Sequence, residues 1–204
     1  MNAPASALQC YLFDFLSEFH RTYPKINFKF HTGSSNDSIT RLRSGEIDLV
    51  FATTPVASVH TLNATYIQWL NDIIAGGKSF AFLAENEGSL SELQSYPFIS
   101  LAQGMQYRQF CDQFFARNHI DFQPAMEADS SELTIPMAIH DWGLALVPEK
   151  IAADPIRAGE LYQVRLCEKI PPRHVVMIVD PQKQLSRAAQ LIRDTSVGQL
   201  KTGQ

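Results

Sequence analysis

Apolar patterns typical of helices and of strands alternate along the first fifty residues, and this alternation constrains the fold more than any other feature. Residues 5–22 carry apolar side chains at helical spacing, and residues 26–31 alternate as a half-buried strand does. Residues 36–44 are predicted as a short helix, and the apolar residues 47–52 as a strand buried on both faces. This order favours a parallel or mixed sheet covered by helices.

A polar segment, residues 85–96, separates this first part from a second α/β alternation. Before it, strands are predicted at 65–70 and 79–84, around the turn Gly76-Gly77. The sequence therefore predicts an α/β fold with two lobes. After the connector we expect strands at 97–101, 123–128, 143–147, 161–166 and 173–179, and helices at 106–118, 131–140, 149–153 and 184–195.

Charge and cysteine content limit the function. The net charge is −4, and the 17 Lys and Arg residues are scattered, so this chain alone lacks the clustered positive charge that duplex DNA requires. The three cysteines form no CxxC motif, which argues against a disulfide framework and favours a reducing compartment. No apolar run reaches the ~18 residues of a membrane span, and no secretory signal is visible. We therefore expect a cytoplasmic protein.

Hydroxyl, amide and glycine residues follow four of the predicted strands. In open α/β sheets, ligands bind outside the carboxyl ends of the strands, next to helix N-termini. The absence of Lys and Arg from these turns predicts a small, modestly charged effector and argues against a phosphorylated one. Ordinary helix capping by the same residues remains the alternative. The turns are Gly33-Ser34-Ser35, Thr53-Thr54, Ala102-Gln103-Gly104 and Asp129-Ser130-Ser131.

Catalytic and metal patterns are missing from the sequence. The six histidines never stand at HxxxH or HExxH spacing, and there is no GxSxG motif or identifiable carboxylate pair. His140 is predicted to end a helix, and Asp48 to tie a turn. We therefore expect neither an enzyme nor a bound metal or cofactor.

Four segments, in their order along the chain, resemble the effector-binding domain of LysR-type bacterial transcription regulators. Two departures accompany the likeness. Asp141 stands where the family usually has glycine, but Asp tolerates the left-handed conformation, so we expect the helix still to end there. The chain also lacks an obvious strand before its first helix. The segments are residues 19–26 (FHRTYPKI), the turn Thr32-Gly33, residues 44–50 (SGEIDLV) and residues 142–148 (WGLALVP).

The resemblance implies two Rossmann-like lobes of the type 2 periplasmic-binding-protein kind, joined by crossover strands. Residues 1–84 with 175–204 would form the first lobe and residues 85–174 the second. A small-molecule effector would bind between the lobes, without catalysis. Carried over by position, the effector-binding residues are Ser6, Thr32, Gly33, Ser34, Ser35, Thr53, Thr54, Gln103, Gly104, Ser130 and Ser131.

The family also implies partners. The DNA-binding winged helix-turn-helix is expected to be absent from this chain, which would reach DNA only through that part. Effector domains would pair as a homodimer through helices 5–22 and 106–118, and the full-length protein would be a tetramer.

A finer likeness is to regulators of the acetohydroxyacid isomeroreductase gene, which implies 2-acetolactate and 2-aceto-2-hydroxybutyrate as effectors. A solute-binding protein of a transport system, which shares the two-lobed architecture, and a small enzyme on the same fold remain the alternatives. The segments that carry the finer likeness are 31–35, 97–99, 103–104 with Arg108, 114–120, 147–149 and 153–155.

Overall fold

The computed structural model describes residues 1–31, 35–56 and 61–202. The helices are α1 (Ala5–Ala7), α2 (Phe13–Thr22), α3 (Ser35–Ser44), α4 (Gln106–Arg117), α5 (Thr134–Ile139), α6 (Glu149–Arg157) and α7 (Arg187–Thr202). The strands are β1 (Val50–Thr53), β2 (Asn63–Leu70), β3 (Asp72–Gly76), β4 (Glu87–Gly88), β5 (Phe98–Leu101), β6 (Met126–Ala128), β7 (Leu144–Pro148), β8 (Tyr162–Gln163), β9 (Arg165–Leu166) and β10 (Arg173–Val179).

The chain divides into two compact units. Unit 1 is Met1–Trp69 with His174–Gln204, and unit 2 is Leu70–Arg173. The chain thus passes into unit 2 at the end of β2 and returns at the start of β10. The segment between Leu70 and Ala84, which the sequence placed in the first lobe, is part of unit 2.

Unit 1 contains a sheet in the order β1-β10-β2, in which β1 runs antiparallel to β10. Residues 1–3 extend this sheet: Asn2 forms parallel bridges with Val50 and with His31. The Asn2 N–H donates to the Leu49 carbonyl (3.2 Å) and the Ala3 N–H donates to the His31 carbonyl (3.1 Å). The strand position that the sequence left open is therefore filled by residues 1–3.

The prediction of a strand at residues 26–31 is wrong except at its last residue, His31. Only His31 has a ladder partner, and the preceding residues are irregular. The reason is the short neighbouring segment, because residues 1–3 offer backbone partners only to the last residues of 26–31. In this irregular segment Phe28 packs against Phe19 of α2, with ring centroids 5.8 Å apart.

The first helical stretch agrees with the sequence in its bounds. It runs from α1 through one π-helical turn (Leu8–Leu12) into α2, and it ends before Pro24, as predicted. The Tyr23 N–H donates to the Phe19 carbonyl at 2.8 Å. Phe15 and Phe19 are buried, with their ring centroids 5.9 Å apart, so the predicted apolar stripe faces the core of unit 1.

Unit 2 contains a five-stranded sheet in the order β6-β5-β7-β3-β8. Strand β5 runs parallel to β6 and β7, whereas β3 runs antiparallel to β7 and β8. Buried side chains from the strands and from α4, among them Ile74, Phe98 and Phe115, form its core. The predicted mixture of strands and covering helices is thus confirmed, with antiparallel pairs added.

The strand expected at 79–84 is wrong: Lys78–Ala84 is a 3₁₀ helix, and the sequence missed β3 just before it. The chain turns after β3, and the Phe80 N–H donates to the Gly77 carbonyl at 3.0 Å. Phe80 is buried while Phe82 is 50% exposed, so the two aromatic residues do not share one face as a strand would require. The Ser79 N–H donates to Asp141 Oδ1 (2.8 Å), which holds the 3₁₀ turn to the segment before β7.

A buried ion pair joins Asp72, near the start of unit 2, to Arg173, its last residue. Arg173 Nε and Nη2 donate to Asp72 Oδ2 and Oδ1 at 2.5 and 2.7 Å, and the side chains are 3% and 0% exposed. Burial alone would lower the pKa of Arg173, but the hydrogen bonds and charge of Asp72 raise it above its usual value. The Tyr107 hydroxyl donates to the Leu146 carbonyl (2.9 Å), and Arg173 lies over the Tyr107 ring, 4.4 Å from its centroid. Asp72 therefore holds the buried Arg173 guanidinium in its charged form.

Asp141 and His140 agree with the sequence interpretation. Asp141 has φ +63°, the left-handed conformation that was expected to end the helix without glycine. His140 closes α5, with its Nδ1 2.8 Å from the Pro136 carbonyl. Asp48 ties a loop as predicted, since Ser186 Oγ donates to Asp48 Oδ2 at 2.8 Å.

Candidate functional site

In unit 1 two of the predicted residues, Ser6 and Thr53, lie at one edge of one sheet. Residues 1–3 run parallel to β1 and to the backbone at His31, so all three segments end on the same side. Ser6 follows the first segment in α1, and its side chain is half-buried. Thr53 ends β1 and is also half-buried. The structure therefore brings Ser6 and Thr53 to the same edge.

Thr54 has a local structural role at this edge. Its N–H donates to the His174 carbonyl, and its Oγ1 accepts from the His174 N–H, both at 2.9 Å. These bonds continue the pairing of β1 with β10 by one residue. Thr32, Gly33 and Ser34 lie outside the described residues, and so does the side chain of Ser35, whose backbone begins α3.

In unit 2 the other two turns also meet at one edge. Strands β5 and β6 are parallel neighbours in which Leu101 lies opposite Ala128, and the Ala102 N–H donates to the Ala128 carbonyl at 2.8 Å. Gln103 and Gly104 are exposed in the turn after β5, and Ser130 and Ser131 are half-buried after β6. The structure therefore places these predicted residues beside one another.

The turn after β5 leads directly into α4. Gly104 has φ +86°, and a Cβ there would meet nothing within 4 Å, so glycine serves the backbone conformation rather than a close contact. No side chain of Met105 caps α4, whose first-turn N–H groups lack partners within the helix. This turn offers backbone donors and the positive end of a twelve-residue helix.

Ser130 takes part in its own turn. Its Oγ accepts from the Glu132 N–H at 3.3 Å, and Thr134 Oγ1 donates to the Ser131 carbonyl at 2.9 Å. Helix α5 begins at Thr134, three residues later than predicted, because residues 130–133 form this turn instead. Ser130 keeps its hydroxyl proton for another acceptor.

Arg108, which contacts the end of β5, is already balanced by two carboxylates. Arg108 of α4 is buried and donates to Asp112 Oδ1 (2.7 Å), the Leu101 carbonyl (3.2 Å) and Glu127 Oε1. Burial alone would lower the pKa of Arg108, but hydrogen bonds with these two carboxylates raise it. The site therefore offers neutral donors and helix dipoles, which suit a small anion or hydroxyl compound.

Other chemistries find little support in the part of the chain that the structure describes. No three His, Cys, Asp or Glu side chains come together there as a metal ion would require. Cys111 is buried, and burial raises the pKa of its thiol to about 12, so it is no thiolate nucleophile. No helix among these residues has the length and apolarity to cross a bilayer.

Sequence reasoning missed two features. One is an aromatic cluster in unit 1, where His174 contacts Trp69 and Tyr66 with ring centroids 3.9 and 4.8 Å away. The spacing of Tyr66 and Trp69 gave no signal for this cluster, because strand residues three apart are expected on opposite faces. The other is a depression of about 650 Å³ in unit 2, lined by Asn71, Asp72, Ile73, Ile74, Glu87, Gln163, Val164, Arg165, Leu166, Glu168, Lys169 and Ile170.

The fold is that of an α/β protein of the periplasmic-binding-protein type, as predicted. A model of the LysR substrate binding domain matches residues 1–201, and the chain belongs to this family. The family consists of transcription regulators, which are not enzymes.

The similarity to one bacterial regulator is distant in sequence. The HTH-type transcriptional regulator YeiE of Escherichia coli strain K12 is 22% identical over 179 residues, which cover 88% of this chain and 60% of that protein. The chain thus spans less than two thirds of that relative.

Two solved structures are similar in fold. The effector-binding domain of QuiR, in complex with shikimate, has a TM-score of 0.85 at 13% identity and covers 98% of this chain and 95% of its own. The regulatory domain of CcmR from Synechocystis PCC6803, in complex with 2-PG, has a TM-score of 0.84 at 18% identity, with coverages of 97% and 94%.

Proposed function

We propose that this chain senses a small carboxylate or hydroxyacid at its strand-end turns and is the effector-binding part of a longer, DNA-binding regulator. The observation that carries the proposal is the gathering of predicted residues at sheet edges. Ser6 and Thr53 share one edge in unit 1, and Gln103 and Ser130 share one in unit 2. Both edges adjoin helix N-termini, where an anion gains up to ~1 kcal/mol from each helix dipole.

The chemistry of the turns supports an uncharged or singly charged ligand over a phosphorylated one. Hydroxyls and backbone N–H groups can orient a carboxylate without burying another charge. The ligand of QuiR, shikimate, is a hydroxylated carboxylate, which agrees with this class. Within the class, the resemblance to acetohydroxyacid isomeroreductase regulators nominates 2-acetolactate and 2-aceto-2-hydroxybutyrate.

We further propose that the effector-binding residues include those at 32–35 and Thr54, Gly104 and Ser131. Gly104 would contribute by exposing backbone donors and Thr54 by fixing the end of β1. The protein would act in the cytoplasm and contact DNA through a winged helix-turn-helix outside this chain.

We also propose that the chain pairs through helices 5–22 and 106–118, as a homodimer within a full-length tetramer. Phe13 of α2 is 57% exposed, as an interface helix would require. In α4 the phenylalanines Phe110, Phe114 and Phe115 are all buried. The first helix is therefore the better supported half of this interface.

Isothermal titration calorimetry tests the proposal with acetate, lactate, 2-acetolactate and shikimate. We expect at least one acid to bind, and Ser130→Ala and Thr53→Ala each to weaken it about tenfold, since each removes a hydrogen bond to a charged group. Ser95→Ala is the matched control, because Ser95 is an exposed serine that bonds only its own turn, through the Glu92 carbonyl. The Ser95→Ala variant should bind the acid with the wild-type affinity.

Two results would contradict the proposal. One is the absence of binding by every acid up to millimolar concentration. The other is binding that neither Ser130→Ala nor Thr53→Ala changes, while both variants keep the wild-type melting temperature.

A further inference from the structure

The aromatic cluster of unit 1 is formed by Tyr66 and Trp69 of β2 and His174 of β10, and we call it the aromatic platform. The Trp69 and His174 rings lie 3.9 Å apart between centroids with an interplanar angle of 41°, and Tyr66 meets His174 nearly edge-on at 72°. Despite these contacts, Trp69 is 64% exposed and Tyr66 is 60% exposed. Large aromatic side chains ordinarily bury most of their surface, so a paired and exposed set indicates a binding surface.

The platform lies at the same sheet edge as the polar turns of unit 1. His174 is the second residue of β10, and two hydrogen bonds of 2.9 Å join its backbone to Thr54. Strand β10 lies between β1 and β2, so the end of β1, the start of β10 and the end of β2 are neighbours. This edge of the unit 1 sheet therefore carries the hydroxyl groups of Ser6 and Thr53 and the N-terminus of the first helical stretch. The rings of His174 and Trp69 lie next to them.

We propose that the platform stacks against a ring of the effector, so that the ligand is a ring-bearing carboxylate rather than a short acyclic acid. This inference rests on the proposed function and narrows its ligand class to ring-bearing carboxylates, so it disfavours the acyclic 2-acetolactate and 2-aceto-2-hydroxybutyrate nominated above. The hydroxyls and helix N-terminus meet the carboxylate, while a flat apolar ring face covers Trp69 and His174. Burial lowers the pKa of His174 below its ordinary value, so the imidazole is neutral at neutral pH and the platform is uncharged.

The neutral platform favours an uncharged ring over a second carboxylate. Offset-stacked and edge-to-face aromatic contacts add to the gain from buried area, whereas a flexible chain must lose conformational freedom to cover the same surface. A carboxylate with a ring should therefore bind more tightly at this edge than a carboxylate with a flexible chain of the same number of carbon atoms.

Calorimetry with benzoate, heptanoate and acetate tests the inference, since benzoate and heptanoate have the same number of carbon atoms. We expect benzoate to bind about tenfold more tightly than either other acid. Trp69→Ala should remove this preference and Trp69→Phe should keep part of it, while acetate affinity stays unchanged. Phe82→Ala, an exposed aromatic residue of unit 2 outside the polar turns, is the control and should leave all three affinities unchanged.

The outcomes separate this inference from the proposed function. If acetate or heptanoate binds as tightly as benzoate, or if Trp69→Ala keeps the benzoate preference, the platform has no such role, although the carboxylate site stands. If no acid binds, both proposals fail. If Trp69→Ala changes the sedimentation coefficient without changing benzoate affinity, the platform is an interface between copies of the chain, which also overturns the inference.

Discussion

Replacing Asp72 with alanine is expected to lower the free energy of unfolding of unit 2 by about 3–5 kcal/mol. The substitution leaves the Arg173 guanidinium buried at 3% exposure without the carboxylate that accepts two of its hydrogen bonds. It also removes the acceptor 3.3 Å from the Tyr107 hydroxyl. Urea unfolding followed by the fluorescence of Trp142, with Trp69→Phe as the background, reports on unit 2.

Two variants make this prediction specific. Asp112→Ala also removes a carboxylate partner from a buried arginine, but Asp112 is 46% exposed and Arg108 keeps Glu127, so we expect a loss of about 1 kcal/mol or less. The double variant Asp72→Leu with Arg173→Met removes both charges and should recover most of the loss. A loss below that of Asp112→Ala would contradict the buried pair.

Replacing Gly143 with alanine is expected to destabilise the protein by about 3 kcal/mol, from backbone strain together with overpacking. Gly143 has φ +155°, and a Cβ there would lie 2.5 Å from the Pro97 carbonyl oxygen. That same oxygen accepts from the Leu144 N–H at 2.8 Å, at the start of the β5–β7 pairing. The added methyl group would therefore push apart two strands of the sheet, and urea unfolding measures the cost.

Gly159→Ala is the matched control. Gly159 also has a left-handed backbone, with φ +72°, but a Cβ there would meet nothing within 4 Å. Only the conformational cost of about 1–2 kcal/mol should appear. If Gly143→Ala costs no more than Gly159→Ala, the close approach of Pro97 does not constrain this position.

The elements that the sequence predicted correctly are those whose signal is local. The helix through Phe15 and Phe19 ends where Pro24 requires, and β10 has the bounds 173–179 expected from its apolar run. Asp141 takes the left-handed conformation because its short side chain tolerates it. Each of these outcomes depends on residues within one turn or one strand.

The errors arise where distant partners decide the structure. Residues 26–31 alternate like a strand, but only His31 has a ladder partner, supplied by residues 1–3. A strand was expected at 79–84, after the turn Gly76-Gly77, whereas the packing of Phe80 and the hydrogen bond between Ser79 and Asp141 favour a 3₁₀ helix. Periodicity carries no information about such partners.

In the candidate site, too, the sequence predicted the features set by local rules and missed those set by residues far apart in the chain. The strand-end rule predicted that Gln103 and Ser130 would be neighbours, and the parallel register of β5 and β6 places them together. It could not predict the aromatic platform, because Trp69 and His174 are brought together by the pairing of strands far apart in sequence. The Asp72–Arg173 pair, 101 residues apart, was hidden for the same reason.

Backbone amide chemical shifts of the ¹⁵N-labelled protein, titrated with the tightest-binding acid of the calorimetric panel, test the central claim most directly. We expect the largest shifts at the strand-end turns, at Ser6, Thr53, Gln103 and Ser130 and in the first turn of α4. Largest shifts at residues 163–170, around the open depression of unit 2, or along α7, with the strand-end turns unchanged, would contradict the account.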